Sequence, residues 1–418
     1  MQKLIYRAAT GIATASLLAS SFMSFASADV NFEISGNGSG SDNEIEEVEI
    51  ENETTVSQDN WADVKNVVNV EANTGDNEAE DNTGGDVSID TGDASANVSV
   101  SNNVNSNQAS VEGCCPTDVN ATISNNGAGS DNEIEDLEVE SKTKVYQDND
   151  AEVTNLVFVE LESGDNEAED NTNGDVSIKT GDANAESISV SNNVNQNVAV
   201  ISGGNGDGAT LTFEISGNGA DSDNEIEDVE VENEVKVDQD NWADLFNLVK
   251  VEAESGDNEA EDNTGGEVEI DTGNTNAKVD VSNWVNFNFA DVDACDCIED
   301  ITVRIKNNGS YSDNEVEDIE LENEKKVYQD NICGGERADC DTIVKVELES
   351  GDNEAEDNTV GDDEDPVIET GDANADVELD NHINKNVVGG DLDWDLPSFE
   401  FSGGSFSALL LLLVGLSG

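Results

Sequence analysis

The chain returns to itself four times, and no other feature limits its possible folds so tightly. Ser-Asp-Asn-Glu recurs at Ser41, Ser130, Ser222 and Ser312, and Gly-Asp-Asn-Glu-Ala-Glu-Asp-Asn-Thr at Gly75, Gly164, Gly256 and Gly351. Repeats of this kind bury apolar surface by stacking on their neighbours, since one repeat alone has too little of it. The four units span residues 29–112, 117–202, 209–294 and 300–388, between an N-terminal segment 1–28 and a tail 389–418 with a short hydrophobic stretch. Inside the units runs a finer period of seventeen, through Asp42, Asp59, Asp76 and Asp93, then Asp131, Asp148, Asp165 and Asp182, then Asp223, Asp240 and Asp257. The fourth unit departs from it, with insertions at residues 333–341 and 362–366 that read as loops on an otherwise regular scaffold.

Between the Asp markers the pattern is that of half-buried strands. Val48, Ile50, Asn52, Thr54 and Val56 share one parity, Glu49, Glu51 and Glu53 the other, and the alternation continues from Ala62 to Ala72. It slips by one at Thr74-Gly75-Asp76 and at Thr91-Gly92-Asp93, as a corner or tight turn would require. No helical apolar stripe occurs after residue 28. The fold expected is all-β, a repetitive β-solenoid with coils of about seventeen residues in four units, roughly twenty rungs and about 95 Å long at the inter-strand spacing. Four tandem β-sandwich modules are the alternative.

Lys3 and Arg7, the apolar run from Ala8 to Phe25 and Ala26-Ser27-Ala28 form the three regions of a secretory signal peptide, with cleavage expected after Ala28. The location implied is extracellular or cell-surface. With 16 Lys and Arg against 97 Asp and Glu, the formal net charge is −81. Nucleic acid is thereby excluded as a partner, because binding a polyanion needs cations to displace its counterions. Attraction to anionic lipid headgroups fails for the same reason. Metal cations, basic proteins and neutral sugars remain.

The expectation is a protein without catalytic activity. His382 is the only histidine, and no nucleophile elbow, phosphate loop or zinc-binding helix motif is present. Carboxylate pairs leave a β-helix enzyme acting on polysaccharide as the strongest catalytic rival. Against it, the acids recur in every unit, so no unique constellation sets their protonation apart.

Asn66, Asn102, Asn103, Asn105 and Asn107 lie in or beside strands, and Asn155, Asn192, Asn193, Asn195 and Asn197 repeat them one unit later. Identical amides on stacked parallel strands can hydrogen-bond along the stack as a ladder. Together with Gln58-Asp59-Asn60-Trp61-Ala62-Asp63-Val64 and Gly75-Asp76-Asn77-Glu78-Ala79, this pattern resembles the repeats of curlin-type amyloid adhesins. The resemblance implies a surface adhesin that self-associates or joins a matrix polymer. The present repeat is shorter and far more acidic.

Six cysteines in an exported chain favour disulfides. Cys333 and Cys340 bracket an insertion and are expected to pair, whereas the partners of Cys114, Cys115, Cys295 and Cys297 stay open. Leu396-Pro397-Ser398-Phe399-Glu400, ahead of the apolar run Ala408–Leu416, resembles a sortase sorting signal without its Thr-Gly pair and terminal basic residues. That run is too short to span a bilayer, so membrane or wall attachment through the tail, or capping of the stack, is the role expected for it.

The metal ligands expected are the Asp markers themselves: Asp42, Asp59, Asp76, Asp93, Asp131, Asp148, Asp165, Asp182, Asp223, Asp240 and Asp257. If coils of seventeen residues stacked, these carboxylates would lie about 4.8 Å apart along one edge and repel one another. Oxygen-rich turns such as Gly38-Ser39-Gly40-Ser41-Asp42-Asn43-Glu44 suit a hard cation, so calcium is the cofactor expected, if any. Gly40-Ser41-Asp42 also resembles part of the calcium-binding nonapeptide repeats of secreted toxins. As plain turn residues, the same aspartates would cap their own backbone amides.

Overall fold

A computed structural model describes residues 18–24, 30–112, 118–202, 209–293, 298–334, 339–359 and 365–389. All of its regular elements are strands. After β1 (Leu18–Ser24), the first unit contributes β2 (Val30–Ser35), β3 (Asp42–Ile45), β4 (Val48–Asn73), β5 (Asn77–Glu80), β6 (Val87–Asp90) and β7 (Ala94–Glu112). The second repeats them as β8 (Val119–Ser124), β9 (Asp131–Ile134), β10 (Leu137–Glu162), β11 (Asn166–Glu169), β12 (Val176–Lys179) and β13 (Ala183–Ser202). The third gives β14 (Ala209–Ser216), β15 (Asp223–Ile226), β16 (Val229–Glu254), β17 (Asn258–Glu261), β18 (Val268–Asp271) and β19 (Thr275–Asp293). The fourth gives β20 (Ile298–Lys306), β21 (Glu315–Val316), β22 (Ile319–Ile332), β23 (Cys340–Glu349), β24 (Val367–Glu369) and β25 (Ala373–Val388).

The strands of each unit pair in parallel with their counterparts in the neighbouring units, β17 meeting the fourth unit only through an isolated bridge, so the chain is a β-solenoid as expected and tandem sandwiches are ruled out. The length of the coil is corrected. One turn of the solenoid takes a whole unit of about ninety residues, not seventeen, and the stack has four rungs rather than twenty. Asp42, Asp59, Asp76 and Asp93 all belong to the first rung and do not lie along one edge. Each stands beside its own counterpart instead, as Asp42 does with Asp131 and Asp59 with Asp148. Asp59 is not a corner either: it lies inside β4, a single strand of 26 residues. At about 3.3 Å per residue that strand runs for about 85 Å, while four rungs are only about 15–19 Å thick. The molecule is therefore a broad, shallow stack and not a thin rod.

The alternation read from the sequence places the core. The apolar parity of β4 points inward, against β7 returning along the opposite wall, and Val68 and Val70 pack with Ala94, Ala96, Val98 and Val100. At one end β2 and β3 close over the start of β4 through Phe32, Ile34, Ile45, Val48 and Ile50. At the other, β5 and β6 close the turn through Ala79, Val87 and Ile89. Asp76, at φ 59, makes the corner after β4 where the parity slipped. A further parity change, after that at Gly92, falls at Asn105, whose φ of 57 is matched by 58, 58 and 57 at Asn195, Asn286 and Asn384 in the strands stacked on it. Asn is among the few residues that tolerate this left-handed backbone.

Register is kept along the full length of β4, β10 and β16, with one residue added at Glu186 as a bulge in β13. The insertion at residues 333–341 splits the long wall of the fourth rung into β22 and β23, as a loop would. Cys333 and Cys340 form a disulfide across it, with Cα atoms 5.7 Å apart. Cys114, Cys115, Cys295, Cys297 and the tail beyond Gly389 lie outside the described residues.

Candidate functional site

Stacking identical units turns each residue into a column, and columns are where this chain concentrates its chemistry. Inside, the columns are amides. Asn60 donates through Nδ2 to Asn107 Oδ1 on the facing wall at 2.7 Å and to Asn149 Oδ1 in the next rung at 3.0 Å. Asn107 in turn donates to Asn149 at 3.1 Å and to Asn197 at 3.0 Å, so the two walls are laced together while the rungs are joined. Asn66, Asn102, Asn155 and Asn192 repeat the arrangement six residues further along β4. The Gln column runs in the reverse sense, from Gln239 to Gln147 and from Gln147 to Gln58, at 2.7 Å each. Buried amides are tolerated because nearly every donor and acceptor finds a partner. The ladder expected from the repeated asparagines is thus present, bound across the core as well as along it.

Outside, the columns are mostly acids. Glu49, Glu138, Glu230 and Glu320 stand in register, as do Glu71, Glu160, Glu252 and Glu347. Lysines interrupt this wall at a few places, where Lys144 meets Glu53 at 3.3 Å and Lys236 meets Asp238 at 3.1 Å. On another face, Glu214 is partly buried, yet hydrogen bonds from Lys306 and Arg304 outweigh that burial and hold its carboxyl below the usual range.

Of the expected ligands, Asp59, Asp148 and Asp240 form one column with Asp330, and Asp76, Asp165 and Asp257 form another with Asp352. Burial, and then the neighbouring aspartates, raise Asp148, Asp240 and Asp257 above the ordinary carboxylate value. Asp42, Asp131 and Asp223 stack at the start of β3, β9 and β15. Asp93 and Asp182 bind between rungs and not to amides of their own turns: Asp93 Oδ1 accepts from the Asp182 amide at 2.9 Å, and Asp182 Oδ1 from the Asn274 amide at 2.7 Å.

Among the described residues, three close oxygen clusters are made by glutamates that the Asp spacing did not mark. Glu80, Glu167 and Glu169 bring one oxygen each within 4.8 Å of one another, as do Glu133, Glu225 and Glu227, and Glu225, Glu315 and Glu317. Their signal was present as pairs two apart on the outward parity, such as Glu78 with Glu80. A hydrogen bond with Glu78, and then its charge, push Glu80 up to about 7. Partial burial, and then the charge of Glu133, push Glu135 to about 7. Beside the second and third clusters, a groove of about 770 Å³ crosses three rungs and is lined by Asp136, Glu138, Asp228, Glu230, Asp318 and Glu320.

His382 is drawn into a different feature on the outer face of β19 and β25. Its ring stacks on Trp284 with centroids 3.9 Å apart, and its Nε2 lies 3.0 Å from Asp380. The cavity beside it is about 260 Å³ and is lined also by Phe287 and Lys385. No family model, no curated protein and no solved structure matches the chain.

Proposed function

We propose that the chain is an exported, acidic structural or adhesive element of the cell surface and not an enzyme. One observation carries this reading: the chemistry-bearing side chains are repeated as columns through all four rungs, inside as amide ladders and outside as acid ladders. Such a surface presents the same groups over a long face, which suits multivalent contact with a cell-surface or matrix polymer. The signal-peptide pattern supports export, and the acidity supports partners other than nucleic acid and anionic lipid. The tail 389–418 is the segment for membrane or wall attachment. Labelling intact cells with an antibody to the repeats tests the reading. Surface label, or label in the medium if the tail does not anchor, is the expected result, and label that appears only after permeabilisation overturns it.

A second reading is a calcium-dependent extracellular binding module, favoured by the three glutamate clusters and the groove beside two of them. Hard cations take carboxylate oxygens, and columns of uncompensated acids gain most from them. The two readings are compatible, since a cation that ties rungs together would also stiffen the stack.

A further inference from the structure

Among the described residues the downstream end of the stack is open and the upstream end is covered only along Ser106–Glu112, by β1, and each end is shaped like the face that the other would meet. Within the molecule, glycine is required wherever one rung crosses closely over the next. A Cβ on Gly75 would fall 1.6 Å from the Gly164 oxygen, one on Gly164 1.5 Å from that of Gly256, and one on Gly256 1.4 Å from that of Gly351. Gly351 closes this column, and a Cβ there meets nothing within 4 Å. The upstream end shows the mirror case. Gly181, Gly273 and Gly371 each crowd the glycine before them, at 2.5, 2.3 and 2.2 Å, yet Gly92 at the head of that column faces open space. Neither Gly351 nor Gly92 has the positive φ that would call for glycine on its own account. Among the described residues of one molecule, both are glycines without a steric reason.

The side chains give the same answer. In the column Asn77, Asn166, Asn258, Asn353, each Nδ2 donates to the Oδ1 of the next rung, at 2.8, 2.7 and 2.7 Å. The column ends on Asn353, whose Nδ2 is buried without an acceptor. Apolar side chains that the third rung buries are uncovered in the fourth. Ile226 is 0% exposed and its neighbour Val316 45%, and Val281 is 2% exposed and its neighbour Leu379 46%.

We propose that copies of this chain stack head to tail, the edge of the fourth rung of one copy taking the edge of the first rung of the next. The occupant is a second copy because the junction continues an interface already made three times inside the molecule, with the same register and the same direction of the amide columns. Gly351 then crosses against Gly75 of the next copy, Gly92 against Gly371 of the preceding one, and Asn353 finds its acceptor in Asn77. The contact is heterologous and does not close on itself, so it yields a filament that grows by four rungs per copy. β1 lies on Ser106–Glu112 of β7 and covers part of the upstream edge, so removal of residues 1–28 opens it. Acid columns meeting at the junction oppose assembly at low ionic strength. Stacking is separable from surface location: a monomer could still coat a cell, and a released protein could still form filaments.

The test is sedimentation and electron microscopy of the exported protein at raised ionic strength, beside Gly351→Ala and Gly92→Ala. The wild type is expected to form filaments, each variant to remain monomeric with an unchanged melting midpoint, and the chain retaining residues 1–28 to assemble at least tenfold more weakly. A wild type that stays monomeric, or variants that polymerise equally well, would overturn the proposal. So would assembly seen only after residues 390–418 are deleted, because the tail would then be what covers the downstream edge.

Discussion

Asn66 Nδ2 donates to Asn155 Oδ1 at 2.8 Å, joining two side chains 89 residues apart in the middle of the core. Asn155 also accepts from Asn102 at 2.9 Å and donates to Asn192 at 2.9 Å and Asn247 at 2.7 Å, so four neighbours depend on one amide. Replacing it with an apolar residue of similar size strands several buried groups, each at about 1–3 kcal/mol. Asn155→Leu is expected to cost on the order of 3 kcal/mol or more, read from denaturant unfolding, whereas Asn66→Leu in the end rung costs less.

Glycine makes a sharper contrast. In Gly164→Ala the new methyl would lie 1.5 Å from a backbone oxygen of the next rung, and no side chain can move aside to admit it. The variant is expected to lose the cooperative thermal transition, or to melt at least ten degrees lower, by circular dichroism.

Acid should stabilise this protein in a range where many proteins gain nothing from it. Glu80 and Glu135 bind their protons near about 7 in the folded chain, against an ordinary value of 4.5. Between those values the native state holds more protons than the unfolded one, so stability rises as pH falls from above 7 toward 4.5. Glu44, Glu169, Glu259 and Glu356 are raised as well and act in the same sense. Glu214 and Glu347, held low by their basic neighbours, reverse the trend only below 4.5. Melting midpoints at constant ionic strength should be higher at pH 5 than at pH 8, and a flat or inverted profile would show that the glutamate columns do not interact.

Calcium should raise the melting midpoint at fixed ionic strength, and chelator should return it. Glu225→Gln removes the residue common to two of the three oxygen clusters and is expected to reduce that response by about half. A midpoint indifferent to calcium leaves the acids as a solvated face.

The Cys333–Cys340 bridge closes a short loop, and the chain-entropy relation gives it about 2–2.5 kcal/mol. Its loss should loosen the fourth rung alone, with faster amide exchange in β22 and β23 and little change in β4, because the second rung lies between β4 and the third.

How much of this was legible in the sequence depends on which period closes the coil. Strand parity at Val48–Ala72, the corners at Gly75 and Gly92 and the Asn ladder could all be read, because alternation and turn chemistry are local. The seventeen-residue Asp spacing is real, yet it marks successive places along one turn. A hydrogen-bonded ladder is happiest with like beside like, and Asp42-Asn43-Glu44-Ile45 finds its like at Asp131-Asn132-Glu133-Ile134, not at Asp59-Asn60-Trp61-Ala62. Identity of neighbours was the deciding signal, and spacing alone concealed it. The glutamate clusters were hidden for the same reason, since Glu167 and Glu80 approach only once the true coil length is known.

A coil of ninety residues also governs how the chain must fold. Nearly every ladder bond joins residues separated by a whole unit, which puts the mean contact separation near about 0.2 of the chain length, in the range of slow-folding all-β proteins. No rung can satisfy its backbone until its neighbour has arrived. The first unit to emerge in synthesis must therefore wait, unpaired, for the second to follow, and the arrival of that second unit sets the earliest moment at which the structure can begin.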